Sequence, residues 1–305
     1  VSGTTDARGS ELLTIGETMA LFSPGIGALT EGAAVTVSAG GAESNVAIGA
    51  ASLGIRSAWL SRVGDDPLGR LVADSVRRRG VDTTLVRVDA TRPTGLMIKQ
   101  PAPSGSRVYY YRAGSAASFL SCADVAGVET PRIVHVSGIT AALSDAAREL
   151  VGAVLAGALT GAATSFDVNY RPTLWPSQDA AASALLALAR TAHIVMVGRD
   201  EAETLWGTAT AEDVRELLPD VAHLVIKDGS AEAVEFASGK VWRVDTPPVD
   251  VVEPVGAGDA FAAGWIAGWL REEPPPARLL GGHHAAAAVL RSPFDTAVIH
   301  TEDRS

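Results

Sequence analysis

The sequence is poor in cysteine, in aromatic residues, in basic runs and in long hydrophobic stretches, and each shortage excludes something. A single cysteine, Cys122, rules out an internal disulfide and a thiolate metal cluster. With no cleavable hydrophobic segment ahead of the first strand-like run, a reducing cytoplasm is the expected compartment. The apolar runs are broken by charged and turn residues, and even Ala180–Ala189 is too short to span a bilayer, so no membrane contact is expected. Basic residues number 25 against 35 acidic ones, a formal charge of −10, and the densest basic run is Arg77-Arg78-Arg79. Three arginines at a helix end suit the negative pole of its dipole, and they are too few for a nucleic-acid stripe. An anionic ligand would have to be held by local cations against the global field.

What the chain does have is apolar residues at 47% with only 20% charged, the balance of a folded chain, and 31 glycines against 5% aromatics. Small aliphatic side chains and close helix–sheet approach follow from that composition. At 305 residues it has room for one large α/β domain or two smaller ones.

The order of elements favours one. Residues 1–10 lack periodicity and read as a flexible arm, with a single domain over 11–305. Leu12–Phe22 reads as a strand, Ala34–Ser38 as a short one, and Gly40-Gly41 opens a helix with Val46, Ala47, Ala50 and Leu53 on one face. Ser57–Val63, the helix Pro67–Arg79, Thr84–Val88 and a hairpin made of 94–100 and 106–112 around Pro101–Gly105 follow. Strands at Arg132–Ser137, Ala163–Val168, His193–Val197 and Ala222–Lys227 then alternate with helices at 144–159, 178–191, 200–206 and 211–218. Antiparallel strands at 231–237 and 240–244 and helices at 257–272 and 276–291 complete the chain. Such alternation makes a mostly parallel sheet with helices on both faces. The strands inserted at about 17–38 and 94–112 cannot all join it, and they are expected to form a small sheet, a lid over the carboxyl-end crevice.

Two glycine-rich segments carry chemistry. In Glu253-Pro-Val-Gly256-Ala257-Gly258-Asp259-Ala-Phe261, glycines before a helix let backbone N–H groups converge, a nest for a phosphate. Asp259 is anomalous there, since a carboxylate repels the ligand that the nest attracts. One chemistry reconciles them: the carboxylate takes the proton of an attacking hydroxyl while the amides stabilise charge on a transferring phosphoryl group. The blander alternative is an Asp that caps the helix and favours its dipole. In Gly40-Gly41-Ala-Glu-Ser-Asn45-Val-Ala-Ile48, the glycines allow close backbone approach and Asn45 can donate to and accept from a polyol.

In this order and separation the segments GGAESNVA and EPVGAGDAF resemble the two signatures of the ribokinase-like (PfkB) family of carbohydrate kinases, and the element order agrees from about Leu12 to about Asp295. The resemblance implies a three-layer α/β sandwich with a β-lid and an ATP-dependent phosphotransferase acting on a sugar hydroxyl. It implies Asp259 as the base, the amides of Gly256, Ala257 and Gly258 as the anion hole, and Gly40, Gly41 and Asn45 on the sugar. Lys227, Gly229 and His283 fall at nucleotide-proximal positions, together with Gly256 and Gly258. Magnesium would be held largely by phosphates and waters with help from Glu201, although Gly198 replaces the Asn of the family's Asn-x-x-Glu pattern. Glu253-Pro254 replaces the usual Asp-Thr or Asp-Pro where many relatives bind a monovalent cation, which leaves K+ dependence open.

In Arg107-Val-Tyr-Tyr-Tyr-Arg112, strand alternation puts Tyr110 and Arg112 on one face and Tyr109 and Tyr111 on the other. A phenol and a guanidinium side by side suit a carboxylate. Asp167-Val-Asn169-Tyr-Arg171 ends a parallel strand, so Asn169 and Arg171 reach the same crevice; for each arginine the alternative is an ordinary surface ion pair. Within the family these segments, with Ser137-Gly138-Ile139, look most like kinases of the sugar acid 2-keto-3-deoxygluconate. That implies transfer to its C6 hydroxyl, with Tyr110, Arg112 and Arg171 on the acid end.

Several residues depart from the pattern. Met97 stands where such kinases often carry a lid Tyr, and Asp228 and Glu232 add carboxylates to a loop near the phosphates. The adjacent His283 and His284 diverge on their helix and cannot easily chelate one ion. Two alternatives stay open: a kinase for a neutral sugar such as fructose, ribose or a nucleoside, and a silent sensor of sugar or nucleotide. Exposed lid edges need cover, and the resemblance implies a homodimer in which two lids clasp.

Overall fold

The computed structural model describes residues 9–24, 29–102, 105–292 and 296. Most of the expected N-terminal arm, the tip of the lid hairpin at 103–104 and Asp295 lie outside the described residues. Strands β1 (Leu12–Ile15), β2 (Met19–Pro24) and β3 (Val35–Gly40) precede helix α1 (Ala42–Ser52). Next come β4 (Ser57–Gly64), α2 (Pro67–Arg78), β5 (Val86–Asp89) and the antiparallel pair β6 (Leu96–Ala102) and β7 (Gly105–Tyr111). The repeating units are β8 (Ile133–Ser137), α3 (Gly138–Ala141), α4 (Asp145–Leu155), β9 (Ala163–Asp167), α5 (Gln178–Ala189), β10 (Ile194–Gly198), α6 (Arg199–Trp206), α7 (Ala211–Leu217) and β11 (His223–Asp228). Strands β12 (Glu232–Ala237) and β13 (Lys240–Asp245) and helices α8 (Ala257–Leu270) and α9 (Pro275–Leu290) end the fold.

Among the described residues, nine strands form one sheet in the order β13-β12-β11-β10-β9-β8-β1-β4-β5, parallel except at β12 and β13. The other four, β3-β2-β6-β7, form the lid. Leu12–Phe22, expected as one strand, is two: β1 pairs with β4 and β8, then Gly16-Glu17-Thr18 turns the chain out of the large sheet and β2 begins in the lid. Both halves are buried and apolar, so only the Gly16-Glu17-Thr18 interruption marks the break. The four-residue α3, absent from the sequence reading, is capped by Ser137, whose hydroxyl accepts the Ile139 N–H.

Alternating residues of the large sheet face two layers. Leu13, Ile15, Val134, Val136 and Phe166 pack with α4, α5, α6 and α7, while Leu12, Ile133, Ile194 and Met196 pack with α1, α8 and α9. Helix α8 is apolar all round, and it is buried between the sheet and its neighbours, with Trp265 fully enclosed. Deep burial fixes its N-terminus firmly, at the carboxyl ends of the parallel strands. Helix α2 starts cleanly because Asp66 accepts the Gly69 N–H at 2.7 Å and Pro67 sets its first turn.

Candidate functional site

At the carboxyl ends of the strands, beneath the lid, lies a cavity of about 1210 Å³. Gly256 opens α8 with φ of 85°, a left-handed conformation that a side chain would strain, and Gly256, Ala257 and Gly258 line the cavity, with the Ala257 N–H donating to the Pro254 carbonyl oxygen at 3.4 Å. Asp259 sits in the first turn of that helix and reaches the cavity wall. Its Oδ2 accepts from Asn45 Nδ2 at 2.9 Å, and its Oδ1 lies 3.5 Å from Asn169 Nδ2. Although part of its surface opens to the cavity, protein encloses it on the other sides. That burial pushes the carboxyl up to about 7; the Asn45 hydrogen bond opposes the rise, nearby Asp167 adds to it, and Arg171 and Lys227 oppose it. A carboxylate tuned to neutrality suits proton transfer.

Asn45 is delivered by α1, whose cap Gly41 must be a glycine for lack of space: a Cβ there would stand 2.3 Å from the Glu17 carbonyl oxygen. The chain returning from the lid thus presses against the start of the lid. Gly40, Gly41 and Asn45 all line the cavity. On the lid, Met97 lies opposite Tyr110 and Lys99 opposite Val108, and this face looks into the cavity together with Met19 and Leu21. The parity expected for Tyr110 and Arg112 holds, and Tyr110 is the cross-strand neighbour of Met97, so a phenol remains beside the thioether.

Arg112 is not a bare cation. Its Nε donates to Glu17 Oε2 at 2.7 Å and its Nη2 meets the same oxygen at 2.5 Å, while Ser115 Oγ donates to Glu17 Oε1 at 2.5 Å. Glu17, buried in the turn between β1 and β2, is a site residue that the sequence reading missed. A lone carboxylate between two apolar runs was its signal. Asn169, two residues past the end of β9, adopts φ of 38°, and its amide lies against Asp259. Arg171 lines the cavity with its side chain 48% exposed, and its Nη1 donates to the Tyr170 carbonyl oxygen and lies 3.8 Å from Glu201.

Lys227, at the end of β11, donates to Asp167 Oδ2 at 2.8 Å, and a Cβ on Gly258 would lie 3.7 Å from its Nζ. Burial works against the ammonium, but Asp167 and Glu201 more than offset it and hold Lys227 above the usual lysine range. Asp167, which the sequence marks only as the start of the Asp-Val-Asn-Tyr-Arg segment, keeps its Oδ1 buried without a hydrogen-bond partner, beside the cavity. Glu201 is fully engaged with backbone: Oε1 accepts the Tyr170 N–H and Oε2 the Gly198 N–H, each at 2.8 Å. Burial pushes its carboxyl up, with Asp167 adding and Lys227 opposing. A side chain at 198 would crowd Asp200 and Glu201, so Gly198 belongs to this arrangement. Among the described residues no cluster of three or more His, Cys, Asp or Glu side chains could cage a metal ion.

The two extra carboxylates at Asp228 and Glu232 are each paired with an arginine. Asp228 accepts from Arg199 at 2.9 Å and Glu232 from Arg243 at 2.5 Å. Gly229 lines the cavity between them. His283 lines the far end, its Nε2 3.2 Å from the Val244 carbonyl oxygen and its ring edge-on to Phe261; burial pushes the imidazole down. Around it Val251, Val255, Ala286, Ala287 and Leu290 give an apolar slot. Every residue singled out from the sequence for substrate, nucleotide, base or metal lines this one cavity. Among the described residues no helix is long and apolar enough to cross a membrane.

Comparison with known proteins agrees with this geometry. Residues 10–301 match the family model described as pfkB family carbohydrate kinase. The chain is 37% identical over 279 residues to the 2-dehydro-3-deoxygluconokinase of Bacillus subtilis (strain 168), covering 85% of this chain and 83% of that one. It is 34% identical over 273 residues to the 2-dehydro-3-deoxygalactonokinase of Haloferax volcanii, covering 87% and 86%. The solved structure of a PfkB protein from Polaromonas sp. JS666 superposes with a TM-score of 0.86 at 32% identity, covering 93% and 96%. A glycine nest with its aspartate, a lidded crevice and a family match over nearly the whole length lead to one statement: the chain belongs to the pfkB family of carbohydrate kinases.

Proposed function

We propose that this kinase transfers the γ-phosphoryl group of ATP to the C6 hydroxyl of 2-keto-3-deoxygluconate. The observation that carries the reading is Asp259, lifted to about 7 at the mouth of the α8 nest and held by Asn45 from the sugar side. Asp259 accepts the hydroxyl proton as the acceptor oxygen bonds to the γ-phosphorus; the bond to the β–γ bridging oxygen breaks and ADP leaves. The amides of Gly256, Ala257 and Gly258 take the charge that develops, and Lys227, fixed by Asp167 and close to Gly258, adds a cation on the same side. Gly40, Gly41 and Asn45 grip the sugar. Gly229 and His283 flank the nucleotide, whose base fits the apolar slot below α9.

The acid end lies away from Asp259, between Tyr110 and Arg112 on the lid and Arg171 after β9. Separation matters because a substrate carboxylate close to Asp259 would raise its basicity further and compete for the same donors. The donor set does not make a protein cage for Mg2+, since both oxygens of Glu201 are engaged by backbone amides. Mg2+ would travel with the triphosphate and water, neutralising phosphate charge. Glu253 already carries an ammonium, that of Lys99, so K+ is not required in this reading. The protein works in the cytoplasm as a homodimer joined through lid strands, with Val37, Tyr109 and Tyr111 exposed near the lid edges β3 and β7.

One observation favours a second reading: Glu17 neutralises Arg112, which would suit a neutral acceptor such as fructose. A panel of sugars and keto-deoxy acids with saturating MgATP decides between them. Turnover of 2-keto-3-deoxygluconate, with the product phosphate located on C6 by NMR, is expected; strong turnover of neutral sugars with none of the acid would overturn the proposal.

A further inference from the structure

We infer that Lys99, on lid strand β6, is a positioning residue for the anion-binding turn: its ammonium holds Glu253 and, through it, the backbone that enters Gly256–Gly258. The inference rests on reading the cavity as a phosphoryl-transfer site. Lys99 lies on the cavity face of the lid and is only 7% exposed, among Met19, Leu21, Met97 and Val108. An apolar side chain would serve that face better, because withdrawing an ammonium from water is costly unless a partner compensates it. One compensating partner comes from outside the lid. Lys99 Nζ lies 2.7 Å from Glu253 Oε2, with the two side chains 8% and 14% exposed.

Glu253 uses its other oxygen locally: Oε1 accepts the Val255 N–H at 3.2 Å. Just before it, the N–H groups of Val252 and Glu253 both reach the Leu290 carbonyl oxygen, at 2.8 and 3.3 Å. The segment entering the nest is therefore anchored to α9 at its start, folded on its own carboxylate in the middle and tied to the lid by Lys99. Lid position and nest geometry become one mechanical unit. An acceptor that settles the lid also settles the donors facing the phosphoryl group, and misplacement by about 1 Å in such a site costs on the order of 10²-fold in rate.

The test uses the full chain and the variants Lys99→Gln, Lys99→Arg and Glu253→Gln, the last removing the same pair from the other side in case the first disturbs the lid. Hydrogen exchange of the amides of Val255–Gly258 is followed by mass spectrometry in the absence of any substrate, and steady-state kinetics are measured beside it. Faster exchange at these amides is expected in Lys99→Gln and Glu253→Gln, with kcat lower by roughly 10- to 100-fold, acceptor KM within about threefold of wild type, and both properties retained in Lys99→Arg. For Lys99→Ala, added methylammonium should restore part of kcat while leaving wild type unaffected. Unchanged exchange in both neutral variants, or a raised acceptor KM with kcat intact, would overturn the inference. Because exchange is read without substrate, failure of the sugar-acid assignment shows up only in wild-type turnover and leaves this result separately readable.

Discussion

In the proposed mechanism one side chain, Asp259, couples catalysis to pH. Burial pushes its carboxyl from the ordinary 3.8 up to about 7, so an increasing share is protonated as pH falls below 7, a form that in the proposed mechanism cannot take the hydroxyl proton. The expected kcat/KM profile rises with unit slope on the acid side and levels off above an apparent pKa near 7. Asp259→Asn should lower kcat by about 10²–10⁴ or more with nucleotide binding retained; near-normal turnover would remove Asp259 from the mechanism. The sign for stability is the reverse of a salt-bridged aspartate. Ionising a group whose folded pKa lies above its unfolded one costs stability from about pH 3.8 upward, and the full penalty is present above 7. Asp259→Asn should therefore raise the melting temperature at pH 8 and lose that advantage near pH 4. Asp259 was legible because its nest, helix and acid are consecutive in sequence. Glu17, Asp167 and Lys99 were not, since each acquires meaning from a partner supplied by another element.

Between elements, the Gly16-Glu17-Thr18 turn and Arg112 decide how the lid meets the sheet. Arg112→Ala leaves Glu17, with its side chain 1% exposed, without its guanidinium, so two effects are expected together: a raised KM for the acid and a lower melting temperature. Breaking a buried pair from one side costs about 3–5 kcal/mol, whereas removing both charges costs far less. The double variant Glu17→Gln with Arg112→Met should recover most of the melting temperature and none of the KM. Recovery of both would mean that Arg112 serves packing alone. Strand parity made the cavity face of β7 readable in advance, because alternation is a property of the backbone. The division of Leu12–Phe22 was marked in sequence only by Gly16-Glu17-Thr18, because burial in the large sheet and burial in the lid leave the same hydrophobic pattern on either side of it.

Across the whole molecule the formal charge is −10, and the cavity shares it, with seven carboxylates in its lining against four cations; what tempers them is pairing. Asp228 and Glu232, which looked hostile to phosphates, are answered by Arg199 and Arg243, and composition could not reveal such pairing. The repeated strand–helix order, in contrast, was enough to anticipate a mostly parallel sheet, since short right-handed crossovers allow few other solutions. For the assembled protein, light scattering is expected to give two copies per particle, and Tyr111→Glu combined with Val37→Lys should yield a single copy. A monomeric wild type would sink the dimer. One feature of the large sheet bears on how the protein comes into being. Strand β1 occupies an inner position, and its neighbour β8 lies about 120 residues further along the chain. At synthesis rates of about 5–20 residues per second, the flank of Leu12–Ile15 that meets β8 waits roughly 6–24 s for its proper partner. Throughout that interval the newborn chain presents an apolar strand edge that can pair wrongly, and the lid strands that follow it offer only the wrong sheet to join.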